Sequence, residues 1–270
     1  MLDELLKLKL FFNKMVHFVL IRHSERLDTH PCDGIAWDDK DTRRYDPPIS
    51  NLNLPAEATK EMEKALCSYL KVEKINVSRI ISSPFRRCIQ TAQLIGHYFG
   101  VQKYTIDSRV GEVPLEVRRC LLKQEKQTET PTVSLLSNST IIEILSNQKQ
   151  RAIVPSDNET KDENKSENDV QVDLQLAPNV YKDLTSNEQF QKDLIGFVQD
   201  LKKNYVGVKS DTNQVIIIVT HGQNITWLIE YLTDSSVLLS CDECGWVLFS
   251  HTDVLYLQSE KRCHVLSTFT

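Results

Sequence analysis

Val215-Ile216-Ile217-Ile218-Val219 is an unbroken β-branched run that leads directly into Thr220-His221-Gly222. A run with no polar alternation predicts a strand buried on both faces, as at the centre of a parallel sheet. Two other segments repeat this form. His17-Phe18-Val19-Leu20-Ile21 leads into Arg22-His23-Ser24-Glu25-Arg26, and Val77 to Ile81 leads into Ser82-Ser83-Pro84-Phe85-Arg86-Arg87-Cys88. Tyr104-Thr105-Ile106 reads as a further short strand.

Helical spacing fills the gaps between these strands. A helix is predicted after Pro55, with Ala58, Met62, Leu66, Tyr69 and Leu70 on its apolar face. Pro84 opens a second, with Cys88, Ala92, Ile95 and Phe99 on one side and Gly100 as its stop. Thr185 and Glu188 have capping-box spacing before a helix carrying Phe190, Leu194, Phe197, Val198 and Leu201. Ile225, Leu228, Ile229 and Leu232 continue as a helix beyond His221. Strand and helix alternate, so the expected fold class is α/β, a mostly parallel central sheet with helices on both faces. Gly245 to His251, Val254 to Leu257 and Val265 to Phe269 add candidate strands, as an edge hairpin.

Ligands of such sheets bind beyond the carboxyl ends of the strands. The three clusters of Arg and His stand at those ends. Guanidinium forks match phosphate oxygens, and an imidazole between two of them is placed to attack a phosphoryl group. Neighbouring cations also disfavour the imidazolium, so His23 is expected to stay neutral in the empty pocket. Arg22, Arg26 and one of the adjacent pair Arg86 and Arg87 are the candidate phosphate ligands, and His23 is the candidate nucleophile.

Composition narrows the setting. The chain has 270 residues, 40% of them hydrophobic and 26% charged, with a net charge of −5 and seven cysteines. The negative balance argues against nucleic acid as a partner. The odd, scattered cysteines fit a reducing compartment rather than a disulfide framework, and the expected location is cytoplasmic. No apolar run reaches the length of a membrane span, so no stable membrane insertion is expected. Residues 1–15 read as an N-terminal extension containing a short amphipathic helix. Homodimer formation is open on this reading.

Leu20-Ile21-Arg22-His23-Ser24-Glu25, Ser83 to Ala92 and Thr220-His221-Gly222 together resemble the histidine phosphatase (phosphoglycerate mutase-like) superfamily. Arg22 to Asp28, Asp46-Pro47-Pro48-Ile49 and Arg87 to Ala92 look most like the phosphatase domain of the suppressor of T-cell receptor signalling proteins. The resemblance covers roughly Val16–Glu112 and Gln214–Leu232. It implies a single 1–270 domain with a metal-independent phosphomonoesterase activity, no cofactor, and a phosphohistidine on His23. The substrate would be a phosphorylated small molecule or a phosphoprotein. The resemblance selects Arg87 over Arg86 as the pocket arginine and gives His221 a hydrogen bond to the phosphoryl group. Glu112, in Asp107-Ser108-Arg109-Val110-Gly111-Glu112, resembles the segment that supplies the general acid, with Glu116 and Asp107 as rivals.

The family usually has glycine where this chain has Ser24, a departure that bears on turnover. Two other readings stand beside the phosphatase. One is a phosphoglycerate mutase-type phosphotransferase, although such mutases usually carry a Trp-Asn-containing stretch where this chain has Arg26-Leu27-Asp28-Thr29-His30. The other is a catalytically inactive phosphate- or partner-binding module. Residues 113–181, where the resemblance fades, are expected to form a helical cap insertion, with Val117 to Leu122 and Thr140 to Leu145 helical. Ser156 to Asp169 has six acidic and two basic residues and no apolar one, which predicts a disordered loop. Cys241 and Cys244, with Cys263 and His264 downstream, are conceivable zinc ligands, but the adjacent second pair argues against a metal.

Overall fold

A computed structural model describes residues 16–29, 45–50, most of 61–70, 76–122, 133, 135–146, 170–176, 181, 186–205, 214–234, 236–249, 254–257 and 263–269. The readings placed on 1–15, 156–169, Pro55, Ala58, Tyr69 and Thr185 lie outside these residues. Helical residues between 61 and 70 bury Met62, Leu66 and Leu70, as their spacing predicts.

The strands are β1 (Val16–Arg22), β2 (Asn76–Ser82), β3 (Lys103–Asp107), β4 (Gln171–Gln175), β5 (Gln214–Thr220), β6 (Ser236–Cys241), β7 (Trp246–Phe249), β8 (Val254–Leu257) and β9 (Cys263–Phe269). Seven form one sheet in the order β4-β3-β2-β5-β1-β7-β8, while β6 and β9 pair separately. The first five in that order are parallel, and β7 and β8 close the edge as an antiparallel hairpin. The fold is therefore α/β, built on a mostly parallel central sheet.

Central β5 is buried along Val215 to Thr220, because apolar layers cover both of its faces. On one face lie helices α1 (Arg86–Phe99) and α3 (Asn138–Ser146), which bring Cys88, Ile89, Ala92, Ile141 and Leu145 onto Val215, Ile217 and Val219. On the other lie α4 (Glu188–Tyr205) and α5 (Gly222–Thr233), whose Leu194, Phe197, Ile225 and Leu228 meet Ile216 and Ile218. Helix α2 (Pro114–Leu122) buries Val117 against Tyr45 and Phe85.

Three local readings change. Helix α1 starts at Arg86, with Phe85 at its N-cap, so Pro84 precedes the helix instead of opening it; Gly100 does end it, at φ 67°. Helix α4 begins at Glu188, and the Ser186 hydroxyl accepts the Glu188 N–H at 3.1 Å, so Glu188 is the first helical residue, not the third. Within 113–181 the structure contains a strand, β4, paired in parallel with β3. Its exposed and half-buried residues alternate, which is the signature of an edge strand covered on one side. Helix α3, from the same stretch, packs into the core against α1. Among the described residues, no helix is long and apolar enough to cross a membrane.

Candidate active site

The parallel register brings three strand ends to one level. Arg22 pairs with Thr220 and Ser82 with Val219. The ladder continues one residue further, with the His23 N–H on Thr220 O and the Ser83 N–H on Val219 O, both at 3.0 Å. His23, Ser83 and His221 consequently leave the sheet together. The loop after β3 is held to the same place: Thr220 Oγ1 donates to Val110 O (2.7 Å) and Asn224 Nδ2 to Gly111 O (2.6 Å). This fixes Glu112 against the other two clusters.

His23 is 2% exposed. Its Nδ1 lies 2.8 Å from Ser24 O. A carbonyl only accepts, so Nδ1 carries the proton and Nε2 keeps the lone pair. Burial foremost, and then Arg87, His221 and Arg22, lower its pKa well below the usual imidazole value. The cations contribute as expected, but loss of water is the larger cause. The ring centroids of His23 and His221 are 5.3 Å apart.

His221 Nδ1 stands 3.1 Å from Glu112 Oε2 and 3.3 Å from Arg87 Nη2. Its Nε2 is 2.9 Å from Ser83 Oγ. A carboxylate accepts only, so His221 donates from Nδ1 to Glu112, and the Ser83 hydroxyl donates to Nε2. Burial outweighs the attraction of Glu112 and holds the His221 pKa down to about 4. Cys88 Sγ is also near this ring, at 3.5 Å, but burial pushes the thiol pKa up, so it stays a thiol.

Arg87 is 1% exposed and sits between two carboxylates. Nη2 donates to Glu112 Oε2 at 2.8 Å and Nη1 to Asp46 Oδ1 at 3.3 Å. The guanidinium carbon lies 4.9 Å from the centroid of Phe85, a ring that also packs edge-on against Tyr181 and His221. Asp46 additionally accepts the Arg86 N–H at 2.7 Å, which ties its own loop to the start of α1. Burial opposes ionisation of Glu112, but its bonds to His221 and Arg87 prevail and hold the carboxyl well below the ordinary carboxylate range.

Arg22, His23, Arg26, Glu112 and His221 line one cavity of about 360 Å³. Arg87 lies behind that wall, reaching it through Glu112 and His221. Arg22 donates to Cys241 O (2.6 Å) and Glu243 Oε1 (3.1 Å), and Arg26 Nε donates to Asp28 Oδ1 (2.9 Å). Of the rivals to Glu112, Asp107 is buried outside the cavity, bound to Arg109. Glu116 lines the cavity but pairs with Arg119. Arg86 is half-buried and is not part of the lining.

Ser24 is buried, and its N–H donates to Thr91 Oγ1 at 2.9 Å. Among the described non-glycine residues only Asp234 and Cys244 have positive φ. Ser24 therefore adopts a backbone that costs serine nothing. The Cys-x-x-Cys pair does not converge. Cys241 belongs to the apolar layer beneath α5, whereas Cys244 belongs to the layer on the opposite face. Instead the Cys241–Gly245 turn clamps the first motif, with the Cys244 N–H 3.2 Å from both Arg22 O and His23 O.

Ser83, Tyr181 and Arg119 join the site from outside the set of candidate residues. Only Arg119 had a visible signal: Glu116 and Arg119 are spaced i, i+3, neighbours on one face of α2.

Residues 19–135 match the family model of the histidine phosphatase superfamily (branch 1). No curated protein matches the chain. Among solved structures, phosphoglycerate mutase from Bacillus anthracis str. Sterne is similar at 16% identity and a TM-score of 0.43, over 92% of this chain and 94% of that one. Bacillus stearothermophilus YhfR is similar at 14% identity and a TM-score of 0.45, over 93% and 95%. The ecdysone phosphate phosphatase of Bombix mori, in complex with tungstate, is similar at 14% identity and a TM-score of 0.38, over 93% and 92%.

Proposed function

We propose that this chain, through the segment matching the histidine phosphatase superfamily, is a metal-independent phosphomonoesterase that works through a phosphohistidine. The observation that carries the reading is the tautomer of His23. With Nδ1 donating to Ser24 O and the ring neutral, Nε2 is a lone-pair nitrogen on a cavity shared with Arg22, Arg26 and Arg119. Nε2 attacks phosphorus as the bond to the leaving oxygen breaks. Arg22, Arg26 and Arg87 compensate the charge on the phosphoryl oxygens, and His221 donates to one of them.

The leaving oxygen needs a proton, and Glu112 is its source. In the ligand-free site Glu112 is ionised, because Arg87 and His221 hold it so. An incoming phosphoryl dianion competes for those same two groups. Its negative charge, next to a carboxylate losing its partners, raises the affinity of Glu112 for a proton. Substrate binding thus arms the acid. After phosphorylation, Glu112 takes a proton from the water that attacks phosphohistidine, and inorganic phosphate leaves. The finer resemblance of Arg22 to Asp28, Asp46 to Ile49 and Arg87 to Ala92 to the suppressor of T-cell receptor signalling phosphatase domains favours hydrolysis over mutase transfer.

The test is to mix the protein with labelled p-nitrophenyl phosphate and quench in alkali. An alkali-stable, acid-labile phosphoenzyme should form in the wild type and be absent in His23→Ala, which should fold normally and not turn over. Turnover by the His23→Ala protein would refute the reading.

A further inference from the structure

The cavity is much larger than the phosphoryl group that His23 and the arginines would hold, so its remaining walls describe the leaving group. Among its described lining residues none is Phe, Tyr or Trp, and Leu239 is the single aliphatic side chain. The aromatic rings of the site, Tyr45, Phe85 and Tyr181, pack against one another behind it. Among the described residues a flat apolar leaving group would find no aromatic surface to cover. A polar one would meet Gln223, Thr226, Ser240 and Arg119.

Arg119 is distinctive among the cavity's arginines. Arg22 is held by Cys241 O and Glu243, and Arg26 by Asp28. Arg119 pairs with Glu116 three residues earlier, and the two side chains are 63% and 42% exposed. A solvent-exposed i,i+3 pair of this kind contributes little and exchanges readily. Helix α2 that carries it is firmly seated: Val117 is buried against Tyr45 and Phe85, and the Leu115 N–H donates to Asn187 Oδ1 at 3.1 Å. A weakly engaged guanidinium is thereby presented on a rigid helix at the cavity wall.

We infer that Arg119 forms a second anion subsite, and that the substrate class is a small, polar phosphomonoester bearing another carboxylate or phosphate. This rests on the phosphomonoesterase reading for the position of the first phosphoryl group. The second anion replaces Glu116 as the partner of Arg119, and Glu116 acts as a selectivity filter that repels it until the exchange is made.

Non-hydrolysable ligands test this independently of turnover. Calorimetry would compare propyl-, butyl- and pentylphosphonate with their ω-carboxylated and ω-phosphonylated counterparts on the wild-type protein. At the best chain length the doubly anionic ligand should bind about fivefold more tightly than the plain phosphonate, the range of a partly exposed ion pair. Arg119→Gln should erase that advantage and leave the plain phosphonate unaffected, Arg119→Lys should restore part of it, and Glu116→Gln should enlarge it. The carboxylate and phosphonate arms identify which second anion is preferred. An advantage that survives Arg119→Gln, its absence at every length, or failure of all these ligands to bind would each overturn the inference. Loss of the phosphatase reading looks different: no alkyl phosphate is hydrolysed, while the binding ratio and its dependence on Arg119 persist.

Discussion

Glu112 Oε2 and Arg87 Nη2 are 2.8 Å apart, joining a carboxylate at the cavity wall to a guanidinium that is 1% exposed. The pair keeps the expected proton donor unprotonated until something else occupies the arginine. Arg87 is meanwhile held from the far side by Asp46, so the guanidinium stays in place when Glu112 lets go.

Glu112→Gln should therefore slow the first step unequally. Protonation matters most for a strongly basic leaving oxygen. Single-turnover phosphorylation of His23 should fall on the order of 100- to 10,000-fold with an alkyl phosphate and far less with p-nitrophenyl phosphate. Equal losses with both substrates would make Glu112 a positioning group, and no loss would move the role to Glu116.

The buried imidazoles should titrate late. Histidine NMR should show His221 neutral down to about pH 4, and His23 neutral well below the ordinary imidazole range. Stability should follow. A histidine with a lowered folded pKa binds fewer protons in the fold than in the unfolded chain, so stability falls as pH drops from about 6.5. Glu112, whose folded pKa is also lowered, adds a loss as pH falls through that value. Tm should decline between pH 7 and 5, and less steeply in His221→Asn. A flat profile in the wild type would contradict the burial of these rings.

Gly111 is a packing constraint on the acid. A Cβ there would lie 2.2 Å from Tyr181 Oη and 3.0 Å from Ser108 O. Tyr181 Oη donates to Glu112 O at 2.8 Å, so Gly111→Ala must push away the ring that steadies Glu112. The cost should be about 1–3 kcal/mol of stability, with a fall in kcat. Tyr181→Phe removes the clashing oxygen, so the alanine should cost less in that background, as a double-mutant cycle in urea would measure.

Ser24→Gly should leave kcat/KM within about twofold, since Ser24 is not among the cavity-lining residues and needs no left-handed backbone. Stability should fall by about 0.5–1 kcal/mol from the added freedom of the unfolded chain. A large loss of activity would show that the hydroxyl takes part in phosphate binding.

The sequence by itself determined the elements whose signal is local. Val215 to Val219 has no polar position, so it had to be a strand covered on both sides, and the helical spacing of Leu194, Phe197 and Leu201 needed only one apolar wall. Because the chain alternates strand and helix, the residues just past His17–Ile21, Val77–Ile81 and Val215–Val219 were bound to meet at one end of a sheet. That made the clusters around His23, Arg86-Arg87 and His221 legible together, while the choice of Arg87 over Arg86 came from the family resemblance. The tertiary structure alone decided which partners they have. Arg87 meets Asp46 across 41 residues and Glu112 across 25, and Arg22 meets Cys241 across 219. No local periodicity encodes such pairs. Strand β4 stayed hidden for a related reason: two half-buried apolar residues at an edge make too short an alternation to stand out. The protonation of Glu112 was equally out of reach, because it depends on the balance of lost water against two neighbours that only the fold supplies.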